Sequence, residues 1–111
     1  MTIRTDALVD SGATGTFMPL ELTEILGITL PSNTHPAVGA GGVFTTYLVE
    51  IDLIEVLKGG VAFCEFRNLT VRIPNRNGMI PHMVLGRDSI FRRYDVTYRE
   101  EDKCIVFRHP K

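Results

Sequence analysis

The feature that most limits what this chain can become is a stretch of alternating residues in its middle. Within residues 43–57, Tyr47, Val49, Ile51 and Leu53 recur at every second position, with Thr46, Glu50 and Asp52 between them. A period of two is that of a β-strand with one covered face. Leu48 and Ile54 blur the alternation, so the segment reads as one long strand or a bent pair. Lys58-Gly59-Gly60 then supplies a hairpin turn into a strand over residues 61–67, and beyond it Leu69, Val71 and Ile73 alternate with Thr70 and Arg72. Residues 74–78, with a proline and a glycine at their ends, break the sheet. An isolated hairpin is marginal in water, so its apolar face must be covered by other parts of the chain.

The remaining segments are short. Ala7-Leu8-Val9 and Met83-Val84-Leu85 are apolar triplets that each run into turn-forming residues, Asp10-Ser11-Gly12 and Gly86-Arg87-Asp88. Residues 19–26 predict a short helix with Pro19 in its first turn, Leu22, Ile25 and Leu26 on its inner face and Gly27 at its end. A second short helix carries Ile90, Phe91 and Tyr94, and residues 94–99 and 104–108 predict a closing hairpin around a charged, solvated loop at residues 100–103. With 111 residues there is room for one core, and mostly strands with two short helices predict a single all-β domain over residues 1–111, a small barrel or sandwich.

Composition excludes several function classes. The chain is 44% apolar and 23% charged with a net charge of -1, which suits neither disorder nor nucleic-acid binding. No apolar run approaches the roughly 20 residues needed to span a bilayer, and the first residues lack the order of a signal peptide, so no membrane partner is expected. Cys64 and Cys104 are far apart, which fits reduced thiols in a cytoplasmic protein. They and the histidines 35, 82 and 109 show no zinc-like spacing, so no metal is expected. Val38-Gly39-Ala40-Gly41-Gly42-Val43 is glycine-rich, yet a strand follows where a phosphate-binding loop needs a helix.

Three segments carry a resemblance. Ala7-Leu8-Val9-Asp10-Ser11-Gly12-Ala13-Thr14 resembles the catalytic segment of the retropepsin-like aspartic proteases. The Val38 to Val43 segment is similar to the tip of the flap that this family folds over its substrate, and Met83-Val84-Leu85-Gly86-Arg87-Asp88-Ser89-Ile90-Phe91 to its segment of apolar residues before Gly-Arg-Asp or Gly-Arg-Asn. The resemblance implies a closed β-barrel of the acid protease type. It also implies roles: Asp10 as catalytic acid, Ser11 bonded to the partner's loop, Ala13 and Thr14 on the cleft floor and Val84 in a side-chain pocket. Gly39, Ala40, Gly41 and Gly42 would contact the substrate from the flap, and Gly86, Arg87 and Asp88 would brace the loop-to-helix turn. Gly12 lets the chain turn tightly beside the acid. The family places an acid where Thr14 stands, so that partner of Arg87 is missing and Asp88 or a terminal group is expected to replace it. Nine residues precede Asp10, so the family's first N-terminal strand is expected to be lacking.

Hydrolysing an amide with water takes a base for the water and an acid for the carbonyl, and two close carboxylates sharing one proton supply both without any cofactor. One Asp-Ser/Thr-Gly occurs here, so the second carboxylate must come from a homodimer partner related by a two-fold axis. The expected function is therefore an aspartic endopeptidase acting on extended peptides or unfolded proteins. The alternative is a relative that dimerises or binds peptide by strand addition without cutting.

Overall fold

The computed structural model describes residues 2–39, 42–99 and 104–108. In chain order it contains β1 (Ala7–Val9), α1 (Leu20–Leu26), β2 (His35–Gly39), β3 (Gly42–Lys58), β4 (Val61–Pro74), β5 (Met83–Leu85), α2 (Ile90–Arg93), β6 (Asp95–Arg99) and β7 (Cys104–Arg108). The loop at residues 100–103, and Ala40 and Gly41 of the glycine-rich tip, lie outside the described residues.

The alternating segment forms one continuous strand, β3, antiparallel to β4. Lys58 pairs with Val61 around Gly59 and Gly60, both at positive φ, the primed turn whose twist matches its strands. Pairing is interrupted at Asp52 and Asn68, where Asn68 takes a φ of 53°. Across this interruption the register is kept, and the inward-facing set moves from odd to even positions in both strands. Before the break Tyr47, Val49 and Ile51 pack with Val71 and Ile73; after it Ile54 and Val56 pack with Phe66. Leu53, expected on the covered face, is therefore 44% exposed.

The hairpin thus serves two clusters. One gathers Met18, Val71, Ile73 and Met83 with the apolar side of α1; the other gathers Phe66, Leu85, Ile90 and Tyr94 beside α2, and Ile54 and Leu69 touch both. In α1 the covered residues are Leu20, Leu22, Thr23 and Leu26, and Ile25, expected inside, is 51% exposed. At 100° per residue Leu22, Thr23 and Leu26 span a single arc of the helix, and Ile25 falls beyond its edge.

The sheets are small: β1 with β5, then β2, β3 and β4 in that order, then β6 with β7. Residues 16–18 tie the first two together. Phe17 exchanges backbone bonds with Val84 at 2.9 and 3.0 Å, while Arg72 donates to the Thr16 carbonyl at 2.8 Å and accepts from Met18 at 2.9 Å. The described strands do not close into a barrel, because only these bridges join the β1 and β5 pair to the hairpin, and β6 and β7 pair with each other. β2 carries Pro36, tolerated because this is an edge strand paired on one side.

Candidate active site

Asp10 stands where β1 ends. β1 lies parallel to β5, with Ala7, Leu8 and Val9 opposite Met83, Val84 and Leu85, and the Asp10 amide donates to the Leu85 carbonyl at 3.1 Å. The chain then leaves the sheet. The Gly12 amide donates to Asp10 Oδ1 at 2.9 Å and the Ala13 amide to the Asp10 carbonyl at 3.2 Å, so the carboxylate is fixed by the turn it begins. Asp10 is half-buried, with Ser11 and Gly12 exposed beside it. A carboxylate whose one oxygen accepts from the backbone keeps the other for substrate or for a second acid.

The segment after β5 holds this loop from below. Arg87 donates through its backbone amide to the Ala13 carbonyl at 3.0 Å and through Nε to the Ser11 carbonyl at 2.8 Å. Gly86 is pressed against the loop so closely that a Cβ there would lie 2.1 Å from the Gly15 carbonyl oxygen and 2.7 Å from that of Ala13. Only glycine permits the approach. Thr16, fully buried, lies 2.7 Å from both Asp88 Oδ1 and Ser89 Oγ. A hydroxyl has one proton, so Thr16 donates to the carboxylate and accepts from Ser89. Asp88 is thus held by Thr16, and Arg87 by the backbone of the acid's own loop; neither makes an ion pair with the other. Thr16 and Ser89 escaped the sequence reading, since a polar residue beside Phe17 and Met18 gives no periodic signal of burial.

The other expected residues are dispersed. Ala13 is half-buried and Thr14 exposed on the loop, while Val84 is buried in β5 between β1 and Phe17. Gly39 and Gly42 face each other at the far end of the β2 and β3 pair, with Val38 and Val43 one rung behind at 79% and 73% exposure. Phe44 lies beneath Gly39 and against Phe17, 6.1 Å between ring centroids, which ties the base of this hairpin to the segment after the acid loop. The loop after β4 is tethered to α1 by the Gly78 amide, which donates to Glu21 Oε1 at 3.2 Å.

Cys64 is half-buried. Burial pushes its thiol above the usual range, against the smaller opposing effects of its hydrogen bond with Tyr94 and the charge of Arg93. Such a shift lowers the share of the reactive thiolate. Burial likewise raises Tyr94, helped by the neighbouring thiol. No helix among the described residues is long and apolar enough to cross a membrane.

Compared with known proteins, residues 2–89 of the 111 match a family model described as aspartyl protease. Neither a curated protein nor a solved structure matches the chain.

Proposed function

The chain belongs to the aspartyl protease family, of the retropepsin-like kind, and from that premise we propose that it is an endopeptidase whose catalytic pair is Asp10 from each of two identical subunits. The observation that carries this reading is the Asp10 loop: an acid at a strand end, oriented by the Gly12 amide and clamped by Gly86 and Arg87, with one acidic residue where two are needed. Two carboxylates about 3 Å apart cannot both ionise, so the pair holds one proton. The ionised member takes a proton from water and the protonated member donates to the scissile carbonyl; the reverse transfer serves the departing amine. The proton count belongs to the pair, and cleavage should show two macroscopic limits of pH.

In this reading a single domain over residues 1–111 acts as a homodimer, with Ser11 meeting the partner's loop. The hairpin tip from Gly39 to Gly42 closes over an extended peptide bound by strand addition, excluding water. Ala13, Thr14 and Val84 shape the apolar subsites. The family's closed barrel belongs to the same proposal.

Asp10→Asn is the direct test. Asparagine keeps an oxygen for the Gly12 amide, so the loop and the melting temperature should persist while cleavage of an unfolded protein substrate falls by at least about a thousandfold. Undiminished cleavage would end the aspartic-protease reading.

A further inference from the structure

Where the pairing of β4 is interrupted at Asn68, β4 and α2 border an open cleft of about 400 Å³, which reaches Asp88 and Ser89 at the edge of the acid loop's frame. Its lining includes Arg67, Asn68, Leu69, Asp88, Arg92 and Arg93. Three arginines in one concavity contrast with a chain whose net charge is -1. Against them stands the carboxylate of Asp88, half-buried and already accepting from Thr16. The lining therefore carries a formal surplus of one positive charge while Glu65, just outside it, pairs with Arg67, and of two once an anion displaces Glu65.

Two of the three guanidinium groups already have protein partners, which a ligand would share or displace. Arg93 Cζ lies over the Phe66 ring, 4.4 Å from its centroid, and Nη1 donates to the Glu65 carbonyl, contacts that hold the guanidinium without neutralising its charge. Arg67 meets Glu65 Oε1 at 3.1 Å, but the two side chains are 66% and 47% exposed, a pair of small energy that a competing anion can displace. Among the described residues Arg92 has no carboxylate partner. Asn68 adds an amide at the one non-glycine position with positive φ among the described residues, and such outliers concentrate where a binding surface needs them.

We infer that this cleft is a binding site for a phosphomonoester. A phosphate monoester carries close to two negative charges at neutral pH and three acceptor oxygens, matching the surplus and the forked donors, whereas a single carboxylate leaves one charge unmatched. The volume lies in the range of small-molecule sites and leaves space for the group the phosphate esterifies, against Leu69.

Titration calorimetry of the full chain at low ionic strength tests this, with O-phosphoserine, inorganic phosphate and succinate as probes. Saturable binding of O-phosphoserine is expected, at least about tenfold tighter than succinate, and Arg67→Gln and Arg92→Gln should each weaken it by roughly tenfold. Both arginines are exposed, so circular dichroism should show the variants folded, and Arg4→Gln should leave binding unchanged. Equal affinity for inorganic phosphate would place recognition in the ion itself, and tighter binding of O-phosphoserine would add the ester; either supports the site. Absence of saturable binding, succinate binding as well as O-phosphoserine, or indifference to Arg67→Gln and Arg92→Gln overturns it.

Discussion

The acid loop and the tip of the β2 and β3 hairpin are both rich in glycine and both turn sharply, yet they are held in opposite ways. Three backbone carbonyls of the acid loop are used, that of Asp10 by Ala13 and those of Ser11 and Ala13 by Arg87, with Gly86 packed against Gly15. At the tip, Gly42 has nothing within reach of a Cβ, and Val38 and Val43 stand in solvent. Glycine serves close approach in the first and a φ of 109° in the second. Under the proposed function, the difference separates two demands of one site. A carboxylate that must meet its partner within a fraction of an ångström needs a fixed frame, and a cover that must admit a peptide needs local freedom.

The largest effect should come from filling the contact that fixes the loop. Gly86→Ala places a methyl against two backbone oxygens that cannot move independently, so about 3 kcal/mol or more of stability should be lost, read from urea midpoints, and peptide cleavage with it. Near-native stability and activity would mean that the loop is as adaptable as the tip.

Thr16→Val removes the hydroxyl that joins Asp88 to Ser89 while keeping the shape. A loss of roughly 1–3 kcal/mol is expected in the same measurement, because buried Ser89 retains only the Gly86 carbonyl at 3.3 Å. An unchanged midpoint would remove this network from the loop's frame.

At the tip the expected effect is smallest in stability and shows in kinetics instead. Gly42→Ala strains a residue at positive φ by roughly 1 kcal/mol but meets no neighbour, so the urea midpoint should fall far less than in Gly86→Ala while KM for a peptide substrate rises severalfold. A collapse of stability equal to that of Gly86→Ala would erase the contrast between the two segments.

Sequence periodicity carried the hairpin, its Gly59-Gly60 turn, both helices and the two apolar triplets, because each is a local pattern with a local cause. It placed Leu53 on the wrong face because the inward-facing set changes phase where the pairing of Asp52 and Asn68 is interrupted, which alternation of residue types does not encode. Ile25 misled for a related reason: seven residues make too short a helix for its apolar face to be told from its flank. The acid loop was visible as Asp-Ser-Gly, but its frame was not, since Gly86 against Gly15 and Thr16 against Asp88 join residues about 70 positions apart. The same distance explains the partner of Arg87: a carboxylate or terminal group was expected, and the Ser11 carbonyl occupies Nε.

The central claim is that Asp10 is half of a catalytic pair made where two chains meet. Specific activity measured over a dilution series, with sedimentation of the same samples, tests it most directly. Activity should rise more steeply than first order while monomer predominates and become proportional to protein once the dimer is complete. Cleavage strictly proportional to concentration where sedimentation finds only monomer would contradict the shared site.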